Sequence, residues 1–118
     1  MSLAHRTTVL ALVAACAVLA PATAGHATAQ PQPPSPARIV IENFGFTPAV
    51  LKVSPGQKVT VVNRDDAPHT VTADGPATFN TGTITAGGTK TFTAPLRHGS
   101  HPYFCNIHQF MAGRLDVR

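Results

Sequence analysis

The chain has 118 residues, nine Lys and Arg against five Asp and Glu, and a formal net charge of +4 with neutral histidine. That length fits one domain. Its basic residues are scattered, which excludes a dedicated nucleic-acid patch, and only two cysteines are present, Cys16 and Cys105.

Residues 1–29 read as a secretory signal peptide. Met1–Arg6 carries one fixed positive charge and Thr7–Ala20 is apolar. Ala22-Thr23-Ala24 and Ala27-Thr28-Ala29 both have the small-x-small form of a cleavage site. The apolar run is short for a bilayer span, so removal is expected rather than an uncleaved anchor. The mature protein is then secreted, periplasmic or held in a bacterial cell envelope. Val13-Ala14-Ala15-Cys16 also has the form of a lipoprotein box, with Cys16 as the lipidated residue. Against that minor reading, Ala17–Ala20 stays apolar where a lipoprotein usually turns polar.

Gln30–Pro36 reads Q-P-Q-P-P-S-P, a polyproline-like linker. Residues 37–118 follow as one small domain. They alternate short β-type runs with Gly and Pro turns: Arg38–Glu42, Ala49–Val53, Gln57–Asn63, His69–Ala73, Thr89–Ala94, His101–Cys105 and Ala112–Val117. Ser54-Pro55-Gly56-Gln57 suits a type II turn, with Pro fixing φ and Gly accepting a positive one. Thr60 and Asn63 interrupt the Val pattern of the third run. No segment carries a 3.6-residue period, and strands at this spacing predict an all-β fold, an antiparallel β-sandwich. Its inner faces are predicted to hold Ile39, Ile41, Phe44, Phe46, Leu51, Val53, Val59, Val61, Val71, Phe92, Phe104 and Leu115. So small a core is marginal on burial alone, and a bound metal would add stability.

The chemistry gathers at the end of the sixth run. Cys105-Asn106-Ile107-His108-Gln109-Phe110-Met111 sets a thiol, an imidazole and a thioether three residues apart, and Ala67-Pro68-His69-Thr70 offers a second imidazole upstream. With Cys16 lost alongside the signal, Cys105 is the only thiol, and no intramolecular disulfide can form. A lone thiol in an oxidising compartment is a liability unless buried or bound. Two His, one Cys and one Met are the ligand set of a blue-copper electron-transfer site: thiolate and thioether suit Cu(I), and imidazole suits both oxidation states. His69, Cys105, His108 and Met111 are therefore the candidate metal ligands, and one type 1 copper ion is the expected cofactor. Taken singly, each has a plainer role: a buried thiol, a core methionine, a surface histidine beside proline. The constellation C-x2-H-x2-M after an upstream P-H is what argues for metal.

Two competitors are weaker. Structural zinc prefers four Cys or His ligands, and Met is a poor one for it. A thiol enzyme with His108 as base to Cys105 would need an oxyanion-binding element that the chain does not show, so no enzymatic activity is expected. His98 and His101 flank the turn before the Cys105 strand and read as exposed loop residues; a second metal site built from them is a weak alternative.

On these residues the chain resembles the cupredoxins, the small type 1 blue copper proteins. Phe44-Gly45-Phe46-Thr47-Pro48, Val53-Ser54-Pro55-Gly56, Val61-Val62-Asn63-Arg64-Asp65 and Pro68-His69-Thr70-Val71 are similar to the family's N-terminal half, and Tyr103–His108 to its ligand loop. The resemblance covers about Ile39 to Val117. The two-residue spacing between His108 and Met111 is similar to that of the amicyanins, whereas plastocyanins and pseudoazurins have a longer one. The resemblance implies a Greek-key sandwich with copper at one end and the exposed edge of His108 as the electron port. Thr70 stands where many members carry an Asn that fastens the two ligand-bearing loops, and Gln109 stands where amicyanin-like loops often carry Pro. The expected function is carriage of single electrons between a redox protein donor and acceptor, by a monomer with at most weak envelope association. A copper-delivery module of the cell envelope is the alternative.

Overall fold

A computed structural model describes residues 10–32 and 35–118. The basic start Met1–Arg6 and the Pro33–Pro34 pair of the linker lie outside the described residues. Residues 10–32 carry no helix or strand, and Cys16 is exposed there. Among the described residues, no helix is long and apolar enough to cross a membrane.

Eight strands make up the rest: β1 Ala37–Glu42, β2 Gly45–Thr47, β3 Val50–Val53, β4 Lys58–Asn63, β5 Thr72–Ala73, β6 Thr89–Thr93, β7 Gly99–Phe104 and β8 Ala112–Val117. They form two four-stranded sheets, ordered β2-β1-β4-β6 and β3-β8-β7-β5. The chain stays within one sheet only at the β1–β2 and β7–β8 connections, which gives the interleaved order of a Greek-key sandwich. Most neighbours are antiparallel, but β1 pairs with β4 and β3 with β8 in parallel. Alternation has the same period in either direction, so a sequence pattern cannot show this. The crossover that parallel neighbours require passes in each case through at least one strand of the opposite sheet.

Period-2 burial builds the core. Ile39 and Ile41 of β1, Val59 and Val61 of β4, and Leu115 and Val117 of β8 are essentially buried, alternating with exposed or half-exposed neighbours. Most of the predicted inner-face residues are here, with Leu51 packed partly against them. Two are not. Tyr103, opposite Gly113 on β8, points inward, so Phe104 must face the other side and is only half-buried. Phe44 sits in the two-residue turn between β1 and β2 and is exposed. Phe79, Ile84, Ala94 and Met111, from loops and strand ends, complete the core.

Strand extents also differ from expectation. β7 begins at Gly99, two residues before the run expected from His101. Pro102 is tolerated because its missing N–H lies on the edge beyond β5, where its carbonyl accepts from Asp74 N–H at 2.9 Å. His69 does not belong to β5. It is held by an isolated antiparallel bridge to Ile84, with His69 N–H to Ile84 O at 3.1 Å and Ile84 N–H to His69 O at 2.7 Å.

Candidate metal centre

The β7–β8 hairpin explains why positions 105, 108 and 111 converge. Phe104 pairs with Ala112, and the ladder continues one step further, with Cys105 N–H donating to Met111 O at 3.0 Å. Cys105 and Met111 thus start and end a closed loop. Met111 N–H then turns back to His108 O at 3.0 Å and brings His108 inward. The loop Arg64–Pro68 after β4 delivers His69 to the same end of the sandwich.

The three stronger donors meet closely. The Nδ1 atoms of His69 and His108 are 3.1 Å apart, and Cys105 Sγ lies 3.8 Å from the first and 3.9 Å from the second. The point equidistant from all three is about 2.1 Å from each, within reach of ordinary metal–nitrogen and metal–sulfur bonds. Among the described residues this is the only His, Cys, Asp and Glu group gathered tightly enough to hold a metal ion. His69, Cys105 and Met111 are buried, and His108 is half-buried. His98 and His101 take no part: His101 Nε2 lies 2.8 Å from Arg97 O.

The surrounding groups fix the positions of the three donors. Thr70 N–H and His108 N–H both point at Cys105 Sγ, at 3.3 and 3.4 Å, and fix its position. The Thr70 hydroxyl accepts from Asn106 N–H at 2.8 Å, so it fastens the His69 segment to the Cys105 loop. The short Thr70 side chain is therefore long enough to join the two loops.

Sequence reasoning missed two supports. Asn63 is fully buried at the end of β4, its amide nitrogen surrounded by the carbonyls of Ala67 at 2.8 Å, Ile84 at 3.0 Å and Thr85 at 3.2 Å. Its Oδ1 accepts from Asp65 N–H at 3.0 Å. That one side chain shapes the loop leading to His69 and ties it to the Ile84 segment. Its break in the Val run was the available signal. Asp65 Oδ2 in turn lies 2.8 Å from His69 Nε2. A carboxylate there makes Nε2 the protonated nitrogen and leaves Nδ1 free to ligate.

Asp65 also accepts from Asn43 N–H at 2.7 Å and Phe44 N–H at 2.9 Å. Partial burial alone would raise its pKa. These two backbone donors and the His69 ring outweigh that, and hold the carboxyl below the usual 3.8. A lowered carboxyl contributes stability that is complete above the unfolded value and is lost as pH falls through the folded one. In the metal-free protein, Asp65→Asn should therefore cost about 1–3 kcal/mol at neutral pH. It should also flatten the loss of stability below 3.8. Urea unfolding at pH 7 and pH 3 compares the two variants; equal slopes of stability against pH would remove Asp65 from this role.

A model of the cupredoxin-like domain matches residues 8–117. The chain belongs to the cupredoxins. Among solved structures, it is similar to a purple cupredoxin from Nitrosopumilus maritimus, with 23% identity, TM-score 0.63, and coverage of 70% of this chain and 99% of that one. It is also similar to a point variant of amicyanin in its Cu(I) form, with 25% identity, TM-score 0.62, and coverage of 70% and 82%. No curated protein sequence matches the chain. One copper ion is the cofactor that this family and this donor set imply.

Proposed function

We propose that the protein is a secreted or periplasmic type 1 copper protein that carries single electrons between a donor and an acceptor protein, without enzymatic activity of its own. The carrying observation is the meeting of His69 Nδ1, His108 Nδ1 and Cys105 Sγ within 3.1–3.9 Å of one another. In this reading those three atoms would hold the copper and the Met111 thioether would be a fourth, weaker ligand. Bound copper supplies the one-electron change between Cu(II) and Cu(I). The protein supplies a fixed geometry: Asp65 orients His69, Thr70 joins the two loops, and two N–H groups point at the Cys105 sulfur. Burial of His69, Cys105 and Met111 keeps water and small reactants away. It also disfavours the delivery alternative, which needs ready exchange. His108 is the ligand nearest solvent, with Ile107 and Phe110 exposed beside it as an apolar rim for a partner.

Cu(II)-loaded protein should show an intense visible sulfur-to-copper band that reductant bleaches reversibly. One equivalent of bound copper without that band would overturn the reading. Met111→Gln should keep copper bound and lower the reduction potential, because a harder oxygen donor favours Cu(II). Voltammetry measures this, and an unchanged potential would remove Met111 from the ligand set.

A further inference from the structure

The turn between β1 and β2 is built against the preference of its residues. Asn43 and Phe44 both have left-handed φ, 52° and 56°, as a two-residue type I′ hairpin requires. Asn suits the first position. The second favours glycine, and a bulky aromatic residue there is a strained outlier. The Asp65 carboxylate holds the turn by accepting from both backbone N–H groups.

The strained residue sits over the metal centre. The Phe44 ring meets His69 edge-on at 5.2 Å and 88°, and His108 at 5.1 Å and 83°. It stacks on Phe110 at 6.3 Å and 29°. His108 is thus flanked by two phenyl rings, since Phe110 lies 6.2 Å from it on its own loop. Phe44 remains 42% exposed and His69 beneath it is fully buried. Strain at a position touching a site points to a role in that site.

We propose that Phe44 is a positioning residue for His108: its ring, pinned by Asp65, braces the imidazole against rotation and covers His69 from water. This rests on the copper electron-carrier reading. A braced imidazole keeps one orientation in both oxidation states, so little reorganisation accompanies each electron. The same cover slows loss of the metal.

Phe44→Gly separates the ring's two effects, because glycine relieves the turn while removing the brace. The metal-free variant should unfold at or above the wild-type temperature. Its copper-loaded form should release Cu(I) to a chelator about tenfold faster and exchange electrons with itself about tenfold more slowly. The His108 ring signals of the reduced variant should broaden in NMR spectra. Phe44→Leu keeps the strain and bulk but not the flat edge, and should fall between the two in every loaded-state measurement. Release and self-exchange within about twofold of wild type in Phe44→Gly would overturn the proposal. If Phe44→Gly fails to fold, Phe44→Leu decides by the same two rates: slowed exchange supports the brace, and unchanged exchange refutes it. A wild-type protein without the visible band would instead overturn the copper reading itself.

Discussion

Cys105→Ser should leave a folded, colourless protein. The visible band requires a thiolate donor, and Cys105 Sγ lies 3.8 and 3.9 Å from the Nδ1 atoms of His69 and His108. Serine fits the same volume, yet its oxygen is hard and stays protonated at neutral pH, so it neither absorbs in the visible nor favours Cu(I). The backbone N–H groups of Thr70 and His108, now at 3.3 and 3.4 Å from the sulfur, would face a neutral hydroxyl. Cu(I) affinity should fall by about two orders of magnitude or more, beyond the effect of losing an outer hydrogen-bond partner. Visible titration and competition with a Cu(I) chelator measure both consequences. The fold itself should persist, because the Cys105 N–H to Met111 O bond that closes the loop is a backbone contact. A visible band that survived in Cys105→Ser would remove this thiol from the ligand set.

The grouping of His69, Cys105 and His108 was legible in the sequence because such donors are chemically scarce. One thiol, a histidine three residues on and a methionine three further can hardly be arranged by composition alone. The hairpin shows why that spacing works: positions 105 and 111 are partners across the ladder and 108 sits at its tip. The supports were less legible because their residue types are common. Asn63 in a Val strand and Asp65 in N-R-D-D look like an ordinary strand end and loop. Their roles depend on contacts with carbonyls and N–H groups some twenty residues away in sequence. Phe44 was misplaced for a related reason. Hydrophobicity argued for the core, but a two-residue turn at the end of β1 carries it out over the metal centre. The parity of β7 was misread because Tyr103 and Phe104 are both large and aromatic. Only pairing with Gly113 decides which one faces inward.

That pairing supplies the largest expected loss of stability. Gly113 lies opposite Tyr103, and a Cβ at position 113 would clash with the hydroxyl end of the tyrosine ring, against its Cζ, Cε2 and hydroxyl atoms. Tyr103 cannot retreat easily. It is almost fully buried, packed edge-on to Phe46 at 5.0 Å and near Phe79 at 6.3 Å, and its hydroxyl has no partner among the described residues. Gly113→Ala must therefore displace the ring or spread β7 from β8. Overpacking a close-packed core costs about 1–3 kcal/mol, and a clash with a ring hemmed in on two sides belongs at the upper end. For a domain of this size, the metal-free melting temperature should fall by about 10 °C or more. The effect should also reach the metal centre, because Tyr103 precedes Cys105 by two residues and Gly113 follows Met111 by two. Spreading the hairpin would lengthen the Cys105 N–H to Met111 O closure, now 3.0 Å, and move the Met111 side chain relative to Cys105. A shifted visible band should therefore accompany the lower melting temperature. Tyr103→Phe in the same background tests the source of the strain: removing the hydroxyl relieves part of the clash and also removes an unpartnered polar atom, so stability should partly return. A Gly113→Ala protein that melts with wild type would show that the strands already have room for a side chain there.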